Sequence, residues 1–178
     1  SLRPPSRRPR QMCIRCRHDY LGMELDYSEA GKVEIGMIKY VENMLEDFPE
    51  KLKDKDVSKT PAGDDLFNQG QGKKLEVERA EGYHTMVAKG LFLCKRARPD
   101  IQPTIAVLCT RVKGPNEADW KKLVRMMKYL NGTTQLLLTL SVVNINFIKS
   151  YLDASFAVLP VYKSPSAAIM SFEYGDVA

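Results

Sequence analysis

The chain has 178 residues, 44% hydrophobic and 28% charged, a balance that suits a globular protein and excludes a wholly disordered one. Its formal charge is +5 and its pI about 9.0, which favours a polyanionic partner and says nothing of fold. No apolar run reaches the ~18 residues of a membrane helix, and no apolar stretch follows the basic N-terminus as a secretory signal would require. With four irregularly spaced cysteines, the expected home is a reducing intracellular compartment, cytoplasmic or nuclear.

Six arginines (Arg3, Arg7, Arg8, Arg10, Arg15 and Arg17) and three prolines make residues 1–17 a basic, disordered arm. Order begins near Asp19. Leu21, Met23, Leu25 and Tyr27 alternate as in a half-buried strand, Ser28–Lys32 turns the chain, and Val33, Ile35 and Met37 alternate again, so a hairpin is expected. The period then lengthens: Met37, Tyr40, Val41, Met44, Leu45 and Phe48 fit an amphipathic helix from about Ile38 to Asp47. Residues 51–72 are charged and glycine-rich, with Thr60-Pro61 inside, and form a long loop.

Three helices should follow. The first spans about Val77–Ala97, with Tyr83, Val87, Gly90, Leu91 and Cys94 inward, and stops before Arg98-Pro99. Asp100 can cap the second, in which Pro103 is tolerated in the first turn and Ile101, Ile105, Leu108 and Val112 face inward. Asn116, with Asp119 three residues on, caps the third, which ends at Asn131-Gly132. Strands are expected at Gln135–Leu140, Ile145–Asp153 and, more weakly, Ala167–Phe172.

The third helix separates its faces. With Trp120 at zero and 100° per residue, Trp120, Leu123, Val124, Met127 and Leu130 fall between about 280° and 40°. Lys121, Arg125 and Lys128 fall at about 80–140° and Lys122 near 200°, so one face packs and a cationic flank lies beside it. Lys95, Arg96, Arg98, Arg111 and Lys113 cluster at the ends of the two preceding helices, where the macrodipole alone would favour cations. Asp64-Asp65 sits in a polar loop with no strand leading into it and reads as solvated. Cys13-Ile-Arg-Cys16 with His18 offers half a zinc site whose other half is missing, and Cys94 and Cys109 read as core thiols.

Five strings in order then resemble the polymerase polyprotein of copia-type retrotransposons. Asp19-Tyr-Leu-Gly-Met23 is similar to the strand after the catalytic hairpin of its reverse transcriptase, and Thr60-Pro61 to the opening of the next segment. Tyr83-His84 and Val87–Leu93 through Arg98-Pro-Asp-Ile101 resemble its most recognisable string; Asp119-Trp120 with Lys128-Tyr-Leu-Asn-Gly-Thr133 resembles a further helix. Tyr151-Leu-Asp-Ala154 is similar to the start of ribonuclease H.

The resemblance implies an α+β chain in four parts: the arm; residues 18–58 as the end of the reverse transcriptase palm and thumb, a hairpin plus helix; residues 59–134 as a three-helix thumb or connection unit; and residues 135–178 as a truncated ribonuclease H-like sheet. It implies that the eight helix-end and flank cations hold the backbone of an RNA–DNA hybrid or duplex, with the remainder of the polyprotein as partner and no membrane. Polymerase and nuclease sites of this kind need two metals held by converging carboxylates. The parent enzyme's Mg²⁺ would lie near Asp153, here a lone ribonuclease H carboxylate expected to be vestigial both as catalyst and as metal ligand. The polymerase Tyr-x-Asp-Asp hairpin has no counterpart, so the fragment is expected to need no cofactor and to be inactive alone. A stand-alone basic helical nucleic-acid-binding protein without enzymatic activity is the alternative.

Overall fold

Residues 17–68, 70, 72–141, 149–154 and 166–171 are described by the computed structural model; the arm before Arg17, Cys13, Cys16 and the strand ends expected at 145–148 and 172 lie outside them. The run expected as one strand from Leu21 to Tyr27 is broken at its start. Leu21 (φ 50°) and Gly22 (φ 77°) are both left-handed, the backbone that a two-residue hairpin turn requires. They join strand β1 (Arg17–Tyr20) to β2 (Met23–Asp26). Asp26 closes the next turn by accepting from the Ser28 amide at 2.9 Å and from Arg17 Nε at 2.8 Å. Strand β3 (Lys32–Gly36) then pairs antiparallel with β2, as the alternation predicts.

A fourth strand completes this sheet from far along the chain. Strand β4 (Leu138–Ser141) pairs with β3, placing Leu140 opposite Val33 and Leu138 opposite Ile35, in the order β1-β2-β3-β4. The segment expected to open the ribonuclease H-like sheet thus begins by hydrogen-bonding to the N-terminal hairpin. Cross-strand partners share a face, so Tyr20, Met23, Leu25, Val33, Ile35, Leu138 and Leu140 lie on one side. Arg17, Asp19, Glu24, Asp26, Lys32 and Glu34 lie on the other. Met23 and Ile35 of the apolar side pack against the helical core. At the sheet end the Leu137 side chain lies close over Gly36, where an added Cβ would meet its Cδ2 at 2.7 Å and turn it aside.

Helix α1 (Ile38–Glu46) buries Val41 and Met44 and stops before Pro49. Helix α2 (Val77–Cys94) ends three residues earlier than Ala97. A 3-10 turn (Pro99–Ile101) leads into α3 (Gln102–Thr110), with Pro103 in its first turn as expected. Asp100 does not cap α3, because its carboxylate is taken by Arg98. Helix α4 (Glu117–Gly132) starts at the predicted cap: Asn116 Oδ1 accepts from the Asp119 amide and Asp119 Oδ2 from the Asn116 amide, both at 3.0 Å.

Tyr83, Ile101, Ile105, Leu108, Trp120, Leu123, Met127 and Leu130 form one core with Val41, Met44 and Phe48. Each fully buried Leu or Ile there contributes about 1.5–3 kcal/mol. Leu91, expected inward, is 42% exposed. The inward stripe of α2 runs instead through Tyr83, Met86, Val87, Gly90, Leu93 and Cys94. Strands β5 (Lys149–Ala154) and β6 (Ser166–Ser171) form a separate antiparallel pair with Asp153 opposite Ala167. The class is α+β, and among the described residues no helix is long and apolar enough to cross a membrane.

Candidate nucleic-acid interface

The orientation of α4 is fixed at its first turn. Beyond the cap, Trp120 is buried, stacks on Phe48 at 5.8 Å between centroids, and donates its indole N–H to Glu50 at 2.5 Å. Arg79 lies 4.6 Å over the same indole and pairs with Glu117 at 2.7 Å. With Trp120 held inward, the helical period turns Lys121 and Arg125 fully outward and leaves Lys122 and Lys128 half-exposed.

The loop after α1 passes alongside this flank. Its Leu66 is buried, its Ser58 amide donates to the Lys128 carbonyl at 3.3 Å, and Asn131 donates to the carbonyl of Lys53 at 3.0 Å. Loop and helix enclose a cleft of about 360 Å³. Lys121, Lys122, Arg125 and Lys128 line it from the helix; Val57, Ser58 and Asp65 line it from the loop. The predicted trio is therefore brought together. Lys122, placed off the flank by its angle, joins because the loop curls around to meet it.

Charge in the cleft is poorly balanced. Lys122 Nζ donates to the carbonyls of Leu66 and Asn68 at 3.0 and 2.6 Å, and Arg125 donates to Thr60 Oγ1 at 3.0 Å. These acceptors are neutral. Lys128 alone of the four has a carboxylate, Asp56, at the long distance of 3.8 Å, and Lys121 makes no ion pair among the described residues. A cation satisfied only by neutral oxygens still gains from a phosphate, since charge-assisted hydrogen bonds are roughly twice as strong as neutral ones.

The other predicted cations separate. Lys95 and Lys113 are exposed at the ends of α2 and α3. Arg96 lies over the Phe92 ring, its Cζ 3.5 Å from the centroid. Arg111 is half-buried and bonded to Asp119 at 3.2 Å, so it secures the α4 cap and is not a free phosphate donor. Arg98 is 2% exposed and leaves the binding set altogether. Its guanidinium donates to both oxygens of Asp100 (3.0 and 2.7 Å), to the Thr133 carbonyl (2.8 Å) and to Thr133 Oγ1 (2.7 Å). Tyr129 adds a hydroxyl donated to Asp100 at 2.8 Å. Burial alone would raise the Asp100 carboxyl, but Arg98 and Tyr129 outweigh it and the net shift is downward. The strings Arg98-Pro-Asp-Ile101 and Lys128–Thr133 are thus two halves of one buried lock that ties the end of α2 to the end of α4.

Asp153 is exposed on β5, beside a shallow hollow of about 300 Å³ lined by Leu152, Ala154, Ser166 and Ala168. Among the described residues no group of three or more His, Cys, Asp or Glu converges to hold a metal. Asp64 and Asp65 are exposed in the loop as expected, Asp65 at the cleft wall. Cys94 and Cys109 are free, and burial pushes both thiols above their ordinary range, which makes them poor nucleophiles and poor metal ligands. No family model matches the chain, and no curated protein or solved structure does.

Proposed function

We propose that the chain is the part of a copia-type RNA-directed DNA polymerase that follows the catalytic hairpin, and that it grips the sugar–phosphate backbone of an RNA–DNA hybrid or duplex along α4. The β1–β3 sheet with α1 would be the end of the palm and thumb, α2–α4 the helical thumb or connection unit, and β5–β6 the first strands of ribonuclease H. One observation carries the binding role: Lys121, Lys122, Arg125 and Lys128 converge on a single cleft in which Asp65 is the one lining carboxylate, and Lys122 and Arg125 donate there to neutral oxygens. Three lysines and an arginine lining an open cleft suit the phosphates of a nucleic-acid backbone, a contact that positions the duplex and is blind to sequence. In this reading Asp153 is a vestigial carboxylate, and Mg²⁺ belongs to the parent enzyme.

The test is the triple variant Lys121→Ala, Arg125→Ala, Lys128→Ala. It should weaken hybrid binding about equally for every sequence and flatten the dependence of log affinity on log salt by roughly 0.9 for each phosphate no longer neutralised. Unchanged affinity and slope would reduce the flank to a solvated helix face.

A further inference from the structure

Among the described residues three arginines lie over aromatic rings, and two of them are closed by acids. Arg79 over Trp120 is paired with Glu117 and, at 3.7 Å, Glu50; Arg98, 5.4 Å from the Tyr129 ring, is paired with Asp100. Arg96 differs. Its guanidinium lies 3.5 Å over Phe92 and donates an N–H to the Phe92 carbonyl at 3.2 Å, with no ion pair among the described residues. Below it the stack continues: Phe92 and Tyr40 are 5.3 Å apart between centroids and inclined by 30°, and Tyr40 is pinned by a hydroxyl donated to the Lys89 carbonyl at 3.3 Å. All three side chains are half-buried, and Tyr40 and Phe92 pack against the core. Lys39 and Lys95, next in sequence to Tyr40 and Arg96, are exposed.

A guanidinium seated over a ring spends one face against it, and the N–H donors that Arg96 does not give to the Phe92 carbonyl are left for a ligand. Such a planar cation takes another flat π system on its free face, as bases stack on arginine planes in single-strand recognition. A structural cation–π contact would be equally served by an arginine neutralised like Arg79 and Arg98; leaving Arg96 without a carboxylate keeps its charge available for a ligand. We propose that the Arg96–Phe92–Tyr40 ladder is a platform on which an unpaired base of a single-stranded nucleic acid stacks, with Lys39 and Lys95 beside it to take the flanking phosphates. This rests on the nucleic-acid reading above and adds a base contact to a backbone grip.

The full chain should be titrated with a homothymidine oligonucleotide and with an abasic oligonucleotide of the same length, each followed by fluorescence anisotropy. Backbone charge is identical, so the basic flank and the N-terminal arginines cancel in the ratio. Intact oligonucleotide should bind about tenfold tighter, within the range of one base–aromatic stack. Arg96→Lys keeps the charge and loses the plane, so it should abolish that preference and leave the salt dependence unchanged. Phe92→Leu should do likewise if circular dichroism shows it folded; Arg96→Lys carries the test if it is not. Equal binding of the two oligonucleotides by the unmodified chain would overturn the platform and leave the backbone grip standing. A preference that survives Arg96→Lys would also overturn it, by placing the stack elsewhere. No binding of either oligonucleotide, with an RNA–DNA hybrid still bound, would overturn the platform and leave the backbone grip standing; loss of hybrid binding as well would overturn both.

Discussion

Replacing Arg98 by Met should destabilise the helical core and leave nucleic-acid affinity untouched. The guanidinium is 2% exposed and its partner Asp100 19%, so the pair is largely out of water. Removing one member of a buried pair typically costs about 3–5 kcal/mol, because the other charge stays behind. Asp100 retains the Tyr129 hydroxyl at 2.8 Å and some solvent, which puts the expected cost near the low end, about 3 kcal/mol. For a chain of 178 residues, each kcal/mol moves Tm by roughly 2–4 °C, so the drop should be about 6–12 °C. Urea unfolding at neutral pH should give the same cost with an unchanged m-value. The double variant Arg98→Met, Asp100→Leu should be less destabilised than Arg98→Met, since an apolar pair strands no charge. A Tm shift under ~2 °C, combined with loss of hybrid affinity, would refute the lock and return Arg98 to the binding set.

Three other outcomes follow from the geometry. Asp56→Asn with Asp65→Asn should tighten polyanion binding by roughly two- to tenfold at low salt, because both acids face the cleft cations across partly exposed distances; anisotropy at two salt concentrations checks this. The Tyr83 phenol is held above its usual range, first by burial and then by Asp119, so the folded state resists its ionisation. The stability linked to it is intact below the unfolded value of about 10 and is lost as pH rises beyond it. Tyr83→Phe gives up a bond to the Leu108 carbonyl at 3.0 Å, about 1 kcal/mol at neutral pH, and should remove that alkaline decline in a urea series from neutral to high pH. The purified chain should neither extend a primer nor cut a hybrid with Mg²⁺ or Mn²⁺, and activity abolished by Asp153→Asn would prove the contrary.

What the sequence made legible is what depends on near neighbours. The α4 cap follows from Asn116 and Asp119 being three apart, and the packed face from the 3.6 period through Trp120, Leu123, Met127 and Leu130; Pro99 set only an outer limit for α2, which ends at Cys94. Long-range partners were hidden. Nothing local announces that Leu138–Ser141 would pair with β3, since alternation marks a strand and not its neighbour. Leu21 beside Gly22 continued the alternation, and the turn there needs a left-handed leucine that propensity does not suggest. Leu91 fits the α2 stripe by rough spacing, yet the stripe follows Gly90 and Leu93, because Gly90 lets Ile105 of α3 come close. The flank cations were readable from helical angle, whereas the cleft was not: it exists only because residues 57–66 fold back on α4. Arg98 misled for a related reason, as an arginine at a helix end looks solvated until Asp100, Tyr129 and Thr133 close around it.

Lysine footprinting tests the central claim most directly. The full chain is acetylated at low stoichiometry with and without a saturating RNA–DNA hybrid of arbitrary sequence, and modification is read site by site by mass spectrometry. A backbone grip along α4 predicts selective protection of Lys121, Lys122 and Lys128, with the exposed Lys73 and Lys74 reacting as before. Unaltered reactivity at Lys121, Lys122 and Lys128 while the hybrid is bound would contradict it.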